Sequence, residues 1–172
     1  MKPPINLLEW INENKSSLKP PVGNKIVMED EEFLVMAVGG PNARNDFHYN
    51  EGEEFFFQIK GDVSVFVQEN GQKREVKLRE GEMFLLPARM PHQPVRPADT
   101  VGLVIERKRK DSEKDGLIWY CSACNNKLFE KYFQLQSIEK DFIPVFKEFN
   151  LNEALRTCAN CGHVEPADQR YL

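Results

Sequence analysis

The sequence predicts a mainly β protein, an all-β sandwich or barrel with a small metal-binding extension at its C-terminal end. Three observations carry this expectation. Between Glu32 and Glu106, short apolar segments recur between Gly- and Pro-containing turns with no helical period. Within that region Val63, Val65 and Val67 alternate with polar residues, as a half-buried strand requires. The last third of the chain holds two Cys-x-x-Cys pairs, Cys121/Cys124 and Cys158/Cys161.

Taken in order, residues 4–18 predict a short amphipathic helix. Pro3 and Pro4 suit its first turn, and Ile5, Leu8 and Ile11 recur at helical spacing. The segment KPPVGN (19–24) breaks it. Strands follow at FLVMAV (33–38), EEFFFQIKG (53–61) and 63–67, with Asn70-Gly71 as a hairpin turn. MFLLP (83–87) and TVGLVIE (100–106) complete the set. ERKRKDSEKDG (106–116) is almost wholly charged and reads as a solvated linker. It divides a β domain over 1–110 from a second segment over 111–172. That segment contains CSAC (121–124), a strand-like KLFEKYFQLQ (127–136), a helix around 138–149 and CANCGH (158–163).

Composition narrows the function. A chain of 172 residues, 41% hydrophobic and 29% charged, is of ordinary globular character and can bury a core of its own. Its net charge of −4 argues against a partner held by phosphate neutralisation, so no nucleic acid is expected. The same charge argues against a polybasic membrane binder, and no apolar run approaches the ~20 residues of a membrane span. MKPPINLLEWINENK has charges and Asn where a secretion signal has its apolar stretch, so a start near Met1 and a cytoplasmic location are expected. Reduced thiols in that compartment make two disulfides a poor account of four cysteines.

Two Cys-x-x-Cys pairs bring four thiolates within reach of one ion, and Gly162 suits the tight turn of the second knuckle. Four thiolates close a tetrahedral sphere, which favours a structural site that accepts zinc or iron. His163 adjoins this site but is not expected among its ligands. His48 and His92 lie in the β region. Glu53 and Glu54 point to opposite faces of their strand, so one of them enters the barrel among phenylalanines, where an unpaired carboxylate is costly and a metal removes the cost. Two imidazoles and one carboxylate make the facial triad of non-haem Fe(II) oxygenases, with positions left open. Either histidine alone reads first as a hydrogen-bonded core or surface residue. Phe55, Phe56 and Phe57 read as core, with at most one facing a pocket.

EEFFFQIKG resembles the end of the first cupin motif, with Gly61 seven residues after Glu54, and GEMFLLPARMPH resembles the second, with Gly81, Pro87 and His92. The usual His-x-His of the first motif is here His48-Tyr49-Asn50, and the usual Asn at the end of the second is Arg96. With KPPVGN, VGGPNARNDFHYNEGEEFFFQIKG, LLPARMPHQPVRPADTVGLVIER, WYCSAC and TCANCG, the whole chain resembles bacterial-type 3-hydroxyanthranilate 3,4-dioxygenase.

That resemblance implies a jelly-roll-like cupin barrel. It implies Fe(II) held by His48, Glu54 and His92, with O2 as co-substrate. It implies that the ring of 3-hydroxyanthranilate is opened to 2-amino-3-carboxymuconate semialdehyde, which cyclises to quinolinate, in NAD synthesis or aromatic degradation. Arg96 is then the carboxylate-binding residue, Glu106 a second acid beside the substrate, and Arg44 the cation at the O2 position, with Glu54 also facing the substrate. Val22 and Asn24 line the pocket. A rubredoxin-like iron, or zinc, sits at Cys121, Cys124, Cys158 and Cys161, and the protein is a homodimer acting on a small aromatic molecule. Residue chemistry alone reads Arg44, Arg96 and Glu106 as surface residues, and only the resemblance lifts them above that reading. Two other functions remain open at this level: a cupin oxygenase for another aromatic of gentisate or homogentisate type, and a non-catalytic cupin sensor with a zinc-ribbon interaction tail.

Overall fold

The computed structural model describes residues 3–20, 23–42 and 44–172, and within them two antiparallel sheets face each other. The strands are β1 (Asn24–Glu29), β2 (Phe33–Gly39), β3 (Phe47–Tyr49), β4 (Glu54–Lys60), β5 (Val63–Glu69), β6 (Gln72–Leu78), β7 (Met83–Leu86), β8 (His92–Val95), β9 (Val101–Arg107), β10 (Asp115–Tyr120) and β11 (Lys127–Phe133). One sheet has the order β1-β2-β9-β4-β7 and the other β11-β10-β3-β8-β5-β6. The helices are α1 (Leu7–Asn14), α2 (Ile138–Leu151) and the single turn α3 (Glu153–Arg156). No helix of the described residues is long and apolar enough to cross a membrane.

Period-two burial builds the barrel interior. On β4, Glu54, Phe56 and Gln58 are buried while Phe55, Phe57 and Ile59 take the opposite face. Phe56 joins Met36, Val63, Val65, Val67, Leu78, Leu86 and Val104 in the core between the sheets. Burial of each such side chain contributes about 1.5–3 kcal/mol. The hairpin between β5 and β6 closes at Asn70 and Gly71, whose φ values of 53° and 75° are those of a two-residue turn matched to strand twist.

Three expectations differ from the fold. Helix α1 begins after Asn6, whose side chain accepts from the amides of Leu8 and Glu9, so Pro3 and Pro4 precede the cap rather than filling the first turn. Its packed face is Leu7, Trp10 and Ile11 against Ala37 and Leu103, while Ile5 and Leu8 are exposed. The charged stretch 106–116 is not a free linker. Arg107 pairs with Glu113, Arg109 pairs with Glu106 and Asp115, and β10 then lies against β3 with Leu117 opposite His48. Alternating charges pair across the turn, so a segment of disordered composition becomes ordered. Finally, β1, β3, β6, β8 and β10 have no counterpart among the expected strands, β6 being implied only by the Asn70-Gly71 turn.

The segment after β10 is packed by its own core. Trp119 stacks on Phe149 at 4.4 Å, and Phe142, Val145 and Phe146 of α2 are buried beside Leu117. This brings α2 against the barrel end that carries His48, whose ring lies 5.6 Å from that of Phe142.

Candidate metal centres and active site

The first centre spans both sheets. His48 on β3 is the direct cross-strand partner of His92 on β8, and Glu54 on β4 is the partner of Glu106 on β9 in the facing sheet. Glu54 is only 4% exposed, whereas Glu53 is exposed; the strand alternation aims one carboxylate inward. Its oxygens lie 3.8 Å from His48 Nδ1 and 3.5 Å from His92 Nε2. Two atoms each about 2.1 Å from a shared ion are at most about 4.2 Å apart, and both distances meet that limit. The three residues form a group able to hold a metal ion.

The other nitrogen of each ring is engaged. His48 Nε2 lies 2.6 Å from Asp115 Oδ2, and His92 Nδ1 lies 3.1 Å from the Met90 carbonyl. Each imidazole thus offers its remaining lone pair to the centre, the arrangement usual for metal-binding histidines. The edge of the His92 ring packs on Phe56 at 6.1 Å.

Electrostatics separates two neighbouring acids. Burial pushes the Glu54 carboxyl up, but His92, His48 and the Asn50 amide together pull it down to about 2. Burial lowers His92, but Glu54 and the Met90 carbonyl raise it above its ordinary value. Burial and the Glu54 charge raise Glu106, against the pull of Arg109. Asn50 Nδ2 donates to both acids at 3.2 Å, bridging Glu54 and Glu106. Burial pushes Asp115 up, yet His48 and Arg109 hold it below its usual range. Two carboxyls driven apart in this way are suited to opposite roles, one a permanent anion and one a proton acceptor.

A cavity of about 560 Å³ opens beside Glu106. Leu34, Met36, Leu135 and Ile138 form its apolar walls, and Glu106 and Arg109 its polar end. Asn24 also lines it, while Val22 lies outside the described residues. Arg96 does not line this cavity; it is 2% exposed, and one guanidinium nitrogen donates to Gln58 Oε1 at 3.1 Å. Its Nε is buried without a partner, no carboxylate pairs with it among the described residues, and burial lowers it to about 10. Arg44 is engaged otherwise than at an open position. Its guanidinium is bonded to buried Asp46 and lies 5.3 Å and 5.4 Å from the rings of Phe142 and Phe146.

The four cysteines form the second group able to hold a metal ion. Cys121 and Cys161 sulfurs are 3.6 Å apart and Cys124 and Cys158 sulfurs 3.5 Å apart, far beyond a disulfide and close to the edge of a tetrahedron around zinc or iron. Both knuckles close alike. The amide of Asn125 donates to the Cys121 carbonyl and that of Gly162 to the Cys158 carbonyl, each from a left-handed residue, φ 59° and 74°. Hydrogen bonds from Asn160 and the Asn126 backbone hold the Cys124 thiol down to about 6. His163 turns instead to Ser122 and Glu165.

Sequence reasoning missed Asn50, Arg109 and Asp115. Asn50 stood out only as a departure from His-x-His, and the other two were hidden in a charged run.

Two antiparallel sheets closed over a pair of histidines and a glutamate define a cupin-type fold with a group able to hold a metal ion. The model of the 3-hydroxyanthranilic acid dioxygenase family matches residues 1–150, and the chain belongs to that family. It is 55% identical over 169 residues to the 3-hydroxyanthranilate 3,4-dioxygenase of Xanthomonas euvesicatoria pv. vesicatoria, covering 98% of this chain and 96% of that one. It is 48% identical over 165 residues to the enzyme of the same name from Bacillus thuringiensis, covering 95% and 92%. Among solved structures, protein NMB1881 from Neisseria meningitidis is similar in fold, with a TM-score of 0.50 and 21% identity over 62% of this chain and all of that one.

Proposed function

We propose that this protein opens the ring of 3-hydroxyanthranilate with O2, using one ferrous ion at His48, Glu54 and His92. The product is 2-amino-3-carboxymuconate semialdehyde, which cyclises to quinolinate without further catalysis; both oxygen atoms enter the ring-opened product. The observation that carries this is the convergence of the three ligand atoms with the second nitrogen of each imidazole already satisfied. Ferrous iron supplies a Lewis acid that acidifies a chelated aminophenol, and a redox partner between ring and O2.

The protein's own residues do the rest. Glu106, raised by burial and by Glu54, accepts the phenolic proton or holds the amine at the polar end of the cavity. Asn50 keeps that carboxylate beside Glu54. Arg96 lies outside that cavity, but its buried guanidinium has no carboxylate partner among the described residues and a free Nε, which suits the substrate carboxylate. Arg44, although held by Asp46 and the two α2 rings, is near enough for its charge to act on His92, and this supports its assignment to the place where reduced oxygen develops negative charge. Leu34, Met36, Leu135 and Ile138 hold the aromatic ring and exclude water.

The segment 111–172 serves as a metal-bearing extension of the 1–110 barrel, with iron or zinc at its four thiolates as a structural clip. The protein works in the cytoplasm as a homodimer. The outer face of the β1-β2-β9-β4-β7 sheet supports the dimer, because it exposes Phe33, Met83 and Leu85, with Met83 67% accessible. Sedimentation of Leu85→Lys tests this: a monomer is expected, and an unchanged dimer places the interface elsewhere.

The functional test is anaerobic Fe(II) loading followed by air and 3-hydroxyanthranilate. Growth of the ring-opened chromophore with matching O2 uptake is expected. No uptake by the loaded protein refutes the activity, and turnover of a gentisate-type substrate alone assigns it to a different aromatic.

A further inference from the structure

The buried charges beside the triad form a closed circuit, and two of its members, Arg109 and Asp115, have no part in the reaction proposed above. It runs from Glu54 through Asn50 to Glu106, from there to Arg109, then Asp115, then His48, and back to Glu54. Only one link touches a ring nitrogen turned away from the centre, and that link is Asp115. Its side chain is fully buried as the first residue of β10, and Oδ2 lies 2.6 Å from His48 Nε2. Arg109 grips both of its oxygens, Nε on Oδ1 at 2.9 Å and an Nη on Oδ2 at 2.8 Å.

We infer that Asp115, clamped by Arg109, is a positioning residue that fixes the tautomer and ring orientation of His48. This rests on the reading of His48, Glu54 and His92 as a metal-ligand set. A carboxylate bound on both oxygens by a guanidinium is an acceptor only. Whenever the imidazole carries one proton, that proton therefore sits on Nε2 and the Nδ1 lone pair faces Glu54. Replacing the acid by an amide removes that constraint, because the amide can present either an oxygen or an NH2 to the ring. The device also explains why a charged stretch is ordered here: Arg109 and Asp115 lie in the run that crosses from the five-stranded sheet to the six-stranded one.

The test uses the full chain with metal kept on the four thiolates and removed from the triad by mild chelation. The chain has three histidines, so nitrogen-15 spectra of the neutral imidazoles are readily assigned. In the wild type, His48 is expected as the Nε2-protonated form. In Asp115→Asn the Nδ1-protonated form appears, and Fe(II) affinity at the triad falls about 10–100-fold, while the four-thiolate site stays loaded. Arg109→Gln leaves Asp115 in place without its clamp and gives the same changes in smaller proportion; it carries the test if Asp115→Asn does not fold. A wild-type tautomer and wild-type Fe(II) affinity in the folded variants overturn the proposal. His48→Ala separates the two levels. Unchanged triad affinity there refutes the ligand set itself, whereas loss there with no change in Asp115→Asn refutes only the role of Asp115.

Discussion

Arg96→Met should trade substrate capture for stability, and both signs follow from its surroundings. Arg96 is 2% exposed, has no paired carboxylate among the described residues, and is lowered by burial from 12.5 to about 10. A displacement of that size corresponds to on the order of 3 kcal/mol spent on keeping the charge buried. Methionine removes that cost and fills similar volume. Against this, Gln58 Oε1 loses its donor, a penalty of about 1–3 kcal/mol. The metal-free variant should therefore be as stable as the wild type or up to about 2 kcal/mol more stable, read by urea denaturation. Substrate capture should move the other way. Breaking a buried contact between guanidinium and carboxylate costs about 2–5 kcal/mol, or roughly 30- to 5,000-fold in KM. 2-Aminophenol, which lacks the carboxylate, should be turned over equally poorly by both proteins. An unchanged KM for 3-hydroxyanthranilate, or a clear fall in stability, would refute the assignment of Arg96 as an unpaired cation built for an anionic substrate.

His48→Ala and His92→Ala should each abolish iron at the triad while the four-thiolate site stays loaded, measured as metal stoichiometry; two ions per chain in either variant removes that residue from the ligand set. Iron affinity at the triad should also rise with pH. Proton and cation compete for His92 Nε2, and Glu54 holds that imidazole above its ordinary 6.5, so affinity climbs through neutrality and levels off only above the raised value. A flat profile in a chelator competition would contradict this. Cys124→Ser should lower thermal stability first, because metal binding at a structural site is folding energy. A normal melting curve with a reduced kcat would show a direct catalytic role for that site. Phe142→Ala should loosen both His48 and Arg44, which pack on its ring, and lower kcat more than it raises KM. The reverse split would place Phe142 at the substrate instead.

Motif spacing carried much of this molecule into view. The alternation of Val63, Val65 and Val67 and the Asn70-Gly71 turn follow from strand period and backbone sterics, which are local. The same holds for the inward carboxylate on β4, since a two-residue period decides that Glu54 and Glu53 cannot share a face. The paired knuckles are legible for a similar reason: thiolates with two residues between them can meet one ion whatever the rest of the chain does.

What tertiary structure alone decided is who stands beside whom. His48 and His92 are separated by 44 positions in the chain and become neighbours only through the pairing of two short strands, neither of which has an apolar pattern of its own. Asn50, Arg109 and Asp115 carry no motif, and their importance comes from burial, which strips water from charges and forces them to satisfy one another. Composition assigned the run from Glu106 to Gly116 to solvent. Long-range pairing of β10 with β3 made it part of the site's frame, because a charge's worth depends on its distance from its partners and on the medium between them, and neither is written in residue order.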